Sequence, residues 1–400
     1  MSMTEPETKR RPDRAALGVV YFTVFLDLLG FGIILPWLPY YAAELGASGI
    51  GLGFLFTAYS LAQLVGAAVL GRLSDRYGRR PMMMMSLVGS MAGFIASGLA
   101  TTLLSLCLAR SVAGLFGGSI SIAQAYVADV TDPSERPRYM GFIGASIGLG
   151  FVIGPALGAG FIAFGLGFPA VAFTAAGLAG MNLMLAIWRL DESRSRGTTG
   201  ARWSLTAWSD ALRQPGLAPV LTATFLTTLA FVSMETTFAF LGRDRFGLDS
   251  LKFGLVLTYV GVIMIIVQGA LIGRLTQRFG VRRVAATGAL LMGGALAALP
   301  LAPGLWLALA SLGVLATGQG LAVPGLSSLT SRLADADRQG SVLGVGQSLA
   351  AGARAVGPLA AGGLYDASIN LPYFAAGALA VLAGILVLSI GAADAADGAS

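Results

Sequence analysis

The sequence GRLSDRYGRRP, residues 71 to 81, separates two apolar segments and returns in altered form as GRLTQRFGVRR at residues 273 to 283. The two copies begin 202 residues apart. A second pair of landmarks, Gly154-Pro155 and Gly357-Pro358, lies 203 residues apart. Two unrelated features that repeat at nearly one spacing indicate a duplicated unit. The sequence therefore predicts two halves built on one plan, with a charged, turn-rich connection at 71–81 in the first.

The composition indicates what kind of unit is duplicated. Of 400 residues, 56% are hydrophobic and 12% are charged, which is about half the charged share of an ordinary soluble domain. A water-soluble protein of this composition would have too little polar surface to cover itself. Apolar segments of the roughly 20 residues that span a bilayer recur along the chain, whereas β-barrel strands would be shorter and would alternate apolar with polar residues. The sequence predicts an all-α integral membrane protein.

Twelve transmembrane helices are predicted, six in each of two pseudo-symmetric halves. Their predicted bounds are 17–41, 50–71, 82–101, 103–127, 139–163, 167–188, 217–241, 253–273, 284–301, 304–331, 339–362 and 371–391. The predicted domains are an N-terminal tail at 1–16, a first half at 17–188, a linker at 189–216, a second half at 217–391 and a C-terminal tail at 392–400. Trp203, Leu205, Trp208 and Leu212 make part of the linker amphipathic, so it is either a short helix in the headgroup region or a plain connection.

The basic residues predict the orientation in the membrane, because Lys and Arg resist translocation. Of 26 basic residues, 21 lie in the tail before the first span or in connections on the same side, and only Arg243, Arg245 and Lys252 lie in connections on the other side. Both termini are therefore expected in the cytoplasm. The net charge of +6 has this topological cause, and it indicates no nucleic-acid partner. The first apolar segment is too long for a cleavable signal peptide, so it is taken as the first span.

Four ionisable residues lie well inside the predicted spans, where their cost makes them functional candidates: Asp27, Arg110, Glu235 and Arg354. Asp27 is roughly 15 Å from the cytoplasmic start of span 1 and Arg110 roughly 10 Å from the external end of span 4, so their depths differ by about 5 Å. We expect Asp27 to pair with Arg110, and Glu235 with Arg354. Each pair is either a proton-coupling site or a static ion pair. The chain has no histidine, so a carboxyl group must carry any coupled proton.

Three ordered motifs resemble those of the major facilitator superfamily. The matches to its loop after span 2 are Gly71, Leu73, Asp75, Arg76, Gly78, Arg79 and Arg80. LARSVAG, with Arg110 and Gly114, resembles its span-4 motif, and GFVIGPALG, residues 150–158, resembles the span-5 motif of its antiporters. The first span, DLLGFGIILPWLPYY, is similar to that of the twelve-span drug:proton antiporters, including tetracycline-resistance exporters. The resemblance implies the major facilitator fold and proton-driven export across a bacterial inner membrane, with no cofactor or metal.

A gate on the cytoplasmic side is expected from the charged connection, because a rocking transporter must hold its halves together there in one state. The residues assigned to it are Gly71, Asp75, Arg76, Gly78, Arg79, Arg80 and Asp129. Asp75 is expected to face the positive N-terminal end of span 11 near Gln339, while Arg79 or Arg76 reaches Asp129. The alternative is that the arginines only enforce topology, which leaves Asp75 unexplained. Gln277 replaces this aspartate in the second copy, so an asymmetric gate is expected.

Span 5 is expected to contact the opposite half. Pro155 removes a backbone donor and bends the helix, and Gly150, Gly154 and Gly158 form a stripe of small residues at four-residue spacing. Such a face lets span 5 press closely against a helix of the other half. The alternative is simple helix packing with no part in the direction of transport, although the resemblance links the motif to antiport.

The predicted cargo is an amphipathic, largely apolar small molecule. The side chains proposed to contact it are Phe31, Trp37, Tyr59, Gln63, Gln124, Phe231, Met234, Phe238 and Gln347. The aromatic members can equally face lipid or the core. Tetracycline exporters also carry an acidic residue in span 3, a histidine in span 8 and an acidic residue in span 9, and span 8 here offers Gln268. These departures put tetracycline in doubt as the cargo.

Two other classes of function stay open. The second reading is a symporter or facilitative transporter of a metabolite or lipid, although a sugar symporter would be expected to have more polar and charged cavity residues. A membrane enzyme or sensor is a distant third, because the chain shows no histidine, no lysine-bearing nucleotide loop and no cluster of metal ligands. The expected partners are the cargo, protons and the lipid bilayer, with the chain acting as a monomer.

Overall fold

The computed structural model describes residues 14–131, 135–193, 214, 216–335 and 339–390. Within these ranges the chain is helical apart from short connections and contains no β-strand. The amphipathic segment at 203–212 and most of both terminal tails lie outside the described residues. The all-α fold predicted from composition is confirmed.

Six helical spans form the first half. Their bounds are Ala16–Glu44, Gly49–Tyr77, Arg79–Gly98, Leu103–Val130, Arg138–Ala163 and Phe168–Arg189. Span 1 is interrupted between Ile34 and Leu38, where Pro36 lacks a backbone donor. Span 4 is interrupted at residues 116–118, which include two glycines. Each interruption leaves helix ends inside the bundle, where their free backbone N–H and C=O groups can form hydrogen bonds with buried side chains.

Six further spans form the second half. Their bounds are Leu217–Phe246, Ser250–Phe279, Val281–Leu301, Leu305–Leu333, Gln339–Ala367 and Leu371–Ser389. Eleven spans of the described chain are long and apolar enough to cross a membrane. The other one, Gln339–Ala367, is 29 residues long and packs along span 2, so it completes the twelve-helix bundle as span 11.

The charged stretch at 71–81 is mostly helix, where the sequence suggests a turn-rich loop. Span 2 continues to Tyr77, beyond its predicted end at residue 71, and span 3 begins at Arg79. Gly78 alone connects them, with a φ of 105° that residues with side chains rarely adopt. Gly280, with a φ of 81°, makes the matching connection between spans 8 and 9. The repeated sequence therefore folds in one way in both halves, as a polar helix end that turns at a single glycine.

The two halves meet closely at the end of the bundle away from the chain termini. We call this end the opposite face, and the end that carries the termini the terminal face. Asp366 of span 11 accepts hydrogen bonds from the backbone N–H groups of Gly49 (2.7 Å) and Ile50 (2.8 Å), at the start of span 2. A Cβ atom added at Gly53 would lie 2.3 Å from the carbonyl oxygen of Pro358, so only glycine permits this contact. The halves are thus closed together at the opposite face.

Candidate functional site

A cavity of about 460 Å³ lies between the two halves. Its wall comes from spans 5, 7, 8, 10 and 11, with Leu35 from span 1. On spans 10 and 11 the wall reaches Thr330 and Leu343, each about one turn from the helix end at the terminal face. The cavity therefore extends from the middle of the bundle towards the terminal face. Its volume is within the range of about 300–1,000 Å³ that is usual for small-molecule sites.

Two ionisable side chains line the cavity, Glu235 on span 7 and Arg354 on span 11. Their charges are close enough to interact. However, no direct ion pair joins them within the described part of the chain, which corrects the sequence expectation. A cavity that extends to one face of the bundle can hydrate both groups, so they do not need to pair with each other.

Uncharged polar side chains surround these two charges. They are the hydroxyl groups of Thr224, Thr227, Thr228, Ser327 and Thr330 and the amides of Gln268, Gln319 and Gln347. Gln319 is 7% exposed, and its Oε1 atom makes no hydrogen bond to any described residue. Gln268 lies in the π-helical turn Val267–Leu271, an irregularity that is frequent at functional sites. The amides therefore provide donors and acceptors that a bound molecule can use.

Sequence reasoning named Gln268 and Gln347 but missed Gln319 and the threonines of span 7. A usable signal was present in the helical spacing of span 7, where Thr224, Thr228, Phe231 and Glu235 recur every three or four residues and so share one face. All four line the cavity. A polar stripe that includes a carboxyl group marks the cavity face of an otherwise apolar helix.

Two of the predicted cargo contacts, Phe231 and Gln347, line the cavity. Met234 and Phe238 are instead core residues, with exposures of 5% and 2%. Phe238 lies about two turns nearer the opposite face than Phe231, and its ring centre is 6.2 Å from that of Phe253. At that depth the Tyr40 ring of the first half lies 5.9 Å from the Phe253 ring, so the halves are packed together there. Met234 is adjacent to Glu235 but lies on the buried face of span 7. The structure places neither side chain in the cavity wall.

Three further predicted contacts lie away from the cavity wall. Trp37 packs against the main hydrophobic core, and Gln63 donates hydrogen bonds to the hydroxyl oxygen of Tyr59 and the carbonyl oxygen of Gly117, both at 3.4 Å. Gln124 is exposed without lining the cavity. Gln63 belongs to span 2 and Gln124 to span 4, and neither span contributes a residue to the described cavity wall.

Arg110 of span 4 lies against aromatic rings and does not pair with Asp27 as predicted. It is 2% exposed, and its guanidinium carbon is 4.5 Å from the ring centre of Tyr59 and 5.5 Å from that of Phe31. Its Nε and Nη1 atoms make no hydrogen bond to any described residue. The Phe31 ring stacks on Tyr59 at 5.4 Å and meets the cavity residue Phe151 edge-on at 6.0 Å. A series of aromatic rings therefore connects Arg110 to the cavity.

Asp27 of span 1 is bound by the interrupted helix of span 4. Its Oδ2 atom accepts a hydrogen bond from the Ser119 hydroxyl at 2.5 Å. Ser119 is the first residue of the helix Ser119–Val130, directly after the interruption, and a helix N-terminus favours a nearby carboxylate. Depth arithmetic that treats span 4 as one continuous helix cannot foresee this partner. Arg110 and Asp27 thus have different partners, although they occupy neighbouring depths.

The predicted gate residues cluster at the terminal face. Arg79 is buried, and its guanidinium contacts a carboxylate oxygen of Asp75 and one of Asp129, each at 2.8 Å. Arg76 is exposed and lies over the ring of Tyr77. Of the two arginines considered from the sequence, Arg79 is therefore the one that contacts Asp129.

Glu192, just after span 6, is a member of this cluster that sequence reasoning missed. Its carboxylate accepts hydrogen bonds from the backbone N–H groups of Arg79 (2.8 Å) and Arg80 (3.2 Å) at the start of span 3. A carboxylate at a helix N-terminus satisfies free donors and interacts favourably with the helix dipole. The first residues of the linker are thereby fixed to the charged connection at 71–81.

The glycine stripe of span 5 packs against span 1 of the same half, so the predicted contact of this stripe with the opposite half is wrong. A Cβ atom at Gly158 would lie 2.4 Å from the carbonyl oxygen of Ile33, and one at Gly154 would lie 2.7 Å from the Cα atom of Gly32. Gly150 faces span 1 in the same way. The stripe therefore fixes the packing inside the first half.

Span 5 does contact the opposite half, but through a different face. There the glycines belong to span 8. A Cβ atom at Gly254 would lie 2.9 Å from that of Ala159 and 3.3 Å from the carbonyl oxygen of Pro155. A Cβ atom at Gly261 would lie 2.8 Å from a methyl group of Val152. The close approach between the halves thus depends on small residues that the sequence motif does not include.

The chain is similar to known proteins over nearly its whole length. A family model described as the Major Facilitator Superfamily matches residues 20–272 and 253–397. Tetracycline resistance protein, class C, from Escherichia coli is 32% identical over 362 residues, covering 89% of this chain and 91% of that protein. Multidrug resistance protein 2 from Bacillus subtilis is 28% identical and covers 90% of this chain and 91% of that protein.

A solved structure is similar over nearly the full length. The crystal structure of the human organic anion transporter MFSD10 (TETRAN) matches with a TM-score of 0.72 at 26% identity. The match covers 94% of this chain and 99% of that one.

Proposed function

Because the chain belongs to the Major Facilitator Superfamily, we propose that it is a proton-coupled exporter of amphipathic, drug-like molecules that works by alternating access. The observation that carries this proposal is the cavity, which extends to one face while the halves are closed at the other. The carboxyl group of Glu235 lines this same cavity. A carboxyl group beside the cargo can exchange a proton for it, which is what antiport requires.

The orientation supports export. The terminal face carries most of the basic residues of the described chain, and such residues stay in the cytoplasm. The cavity then extends to the cytoplasm, which is the state in which an exporter takes up its cargo. The relatives named as tetracycline and multidrug resistance proteins also favour export of drug-like molecules.

Two carboxyl groups have separate roles in this proposal. Glu235 exchanges its proton directly with cargo in the cavity. Asp27 binds the proton that drives the change of state, because its partner Ser119 begins a helix of span 4 whose interruption provides a hinge. In the state where the two side chains approach each other, Arg110 pairs with Asp27. The series of rings from Phe31 to Phe151 connects that site to the cavity.

The test is transport into inside-out membrane vesicles with an imposed pH gradient, acid inside. A panel of lipophilic cations, tetracyclines and organic anions is offered to vesicles with the parent protein and to vesicles without it. We expect at least one amphipathic compound to accumulate only with both the protein and the gradient. Accumulation that requires the protein but ignores the gradient would instead indicate facilitated diffusion.

A further inference from the structure

The two charges of the cavity lie at its deep end. Glu235 is about 18 residues, roughly 27 Å, along span 7 from the terminal face, and Arg354 is about 15 residues, roughly 22 Å, along span 11. They are the charged residues of the cavity wall within the described chain. The amides of Gln268 and Gln347 lie nearer the terminal face. Cargo that reaches the closed end therefore meets one negative and one positive group.

Each of these groups needs a partner when cargo displaces water from the cavity. The two charges attract each other, but no direct ion pair joins them among the described residues, so neither is neutralised by contact with the other. A cargo with a single charge adds a close counter-charge to one group and leaves the other desolvated, with only the more distant attraction of its neighbour, which is a costly state. A cargo with two opposite charges compensates both.

We propose that the cavity selects zwitterionic amphipathic molecules. The cationic group of the cargo lies beside Glu235, its acidic group lies beside Arg354, and its apolar body packs against Phe231 and Met264 of the cavity wall. The free Oε1 atom of Gln319 accepts a hydrogen bond from the cargo. This inference rests on the proposed export function, for which it names the class of cargo.

The direction of proton coupling favours the same assignment. A cationic group beside Glu235 stabilises the ionised carboxylate, so binding of cargo releases the proton, as antiport requires. A purely anionic cargo would neutralise Arg354 and would favour the protonated form of Glu235. Such a cargo would travel together with a proton, which is symport. The zwitterion therefore combines recognition by Arg354 with the proton release of an antiporter.

Three fluorescent compounds with one fluorophore and one chain length test the proposal. Nε-dansyl-lysine is a zwitterion, dansylcadaverine is the same molecule without the carboxylate, and Nα-acetyl-Nε-dansyl-lysine is an anion. Binding to the purified full-length protein in detergent is measured by fluorescence titration without a pH gradient. We expect the zwitterion to bind about 10-fold more tightly than either of the others, because each lost charge pair costs roughly that factor.

Variants assign the preference to the two side chains. Arg354→Gln should abolish the advantage of the zwitterion over dansylcadaverine, and Arg354→Lys should keep most of it. Glu235→Gln should abolish the advantage over the acetylated anion. Arg278→Gln, at the terminal-face end of span 8 and outside the cavity wall, is the matched control and should leave the three affinities unchanged. Thermal unfolding of each variant in detergent shows whether it is folded.

The outcomes separate this inference from the proposed function. If dansylcadaverine binds as tightly as the zwitterion, or if the anion binds most tightly, the cavity does not select zwitterions and the inference is wrong. If none of the three compounds binds, the inference is also wrong. Gradient-driven export of other compounds in vesicles would still support the proposed function, since the binding titration uses no gradient.

Discussion

A charge inside a membrane protein needs a counter-charge or an oriented dipole, and Arg110 and Asp27 meet this need in different ways. Arg110 lies against the π faces of Tyr59 and Phe31, an arrangement worth about 2 kcal/mol or more when desolvated. Asp27 accepts a hydrogen bond at the start of the helix Ser119–Val130, where the dipole contributes about 0.3–1 kcal/mol. Neither partner carries a full counter-charge, so we expect these groups to exchange partners when the spans move.

Replacing Asp27 by Asn tests the role of this carboxyl group. The amide keeps the size and the hydrogen bond to Ser119 but cannot release a proton. We expect cargo to bind to Asp27→Asn with nearly parental affinity, while uphill transport is lost. The measurement is the proton release caused by cargo in a weakly buffered detergent solution, with Asp249→Asn at the opposite face as the control. Cargo should release fewer protons from Asp27→Asn than from the parent, because Glu235 can still release its own proton. Proton release equal to that of the parent would show that Asp27 takes no part in coupling.

At the scale of helices, the number and placement of the spans follow from the sequence because length and hydropathy are local properties. The same is true of the positions of Glu235 and Arg354 along their helices, since spans 7 and 11 begin at the predicted residues, Leu217 and Gln339. The direction in which a residue points around the helix is not local. It depends on which neighbouring helix each face contacts. The sequence prediction therefore placed Met234 in the cavity and the glycine stripe of span 5 between the halves, and both placements were wrong. The interruption of span 4 causes a second error, because it places the start of a helix, at Ser119, beside Asp27.

The packing of span 5 on span 1 provides a prediction with a control on the same helix. Gly158→Ala places a methyl group 2.4 Å from the carbonyl oxygen of Ile33, whereas a methyl group at Gly160 meets nothing within 4 Å. We expect Gly158→Ala to destabilise the protein by about 1–3 kcal/mol, the usual cost of overpacking, and Gly160→Ala to be neutral. Thermal unfolding in detergent measures the difference. Equal unfolding temperatures for the two variants would show that span 5 does not pack here as described.

At the scale of the whole molecule, closure of the opposite face is held by contacts that cross between the halves. Asp366 caps span 2 from span 11. Asp249 caps its own helix by accepting a hydrogen bond from the backbone N–H of Lys252 at 2.8 Å, within one half. The two aspartates lie at the same face and make the same kind of bond, so comparing their alanine variants isolates the effect of crossing between halves.

Asp366→Ala should shift the protein towards opening at the opposite face, and Asp249→Ala should not. Loss of a helix cap costs about 1 kcal/mol, which is roughly a fivefold change in the equilibrium. The reporter is the rate at which a hydrophilic maleimide labels Thr57→Cys in a Cys107→Ser background, because Thr57 accepts a hydrogen bond from Leu359 across the closed contact and Cys107 is the only cysteine. Similar labelling rates in both alanine variants would contradict a clamp between the halves.

The most direct test of proton-coupled export uses purified protein in proteoliposomes that contain a pH-sensitive dye. An outward gradient of cargo is imposed with no initial pH difference and with the membrane potential held at zero. Antiport predicts that protons enter as cargo leaves, so the interior becomes more acidic, and that a protonophore abolishes the signal. An interior that becomes more alkaline would show that protons travel with the cargo, and an unchanged interior would show that cargo moves alone. Either result would contradict the exchange of protons for cargo.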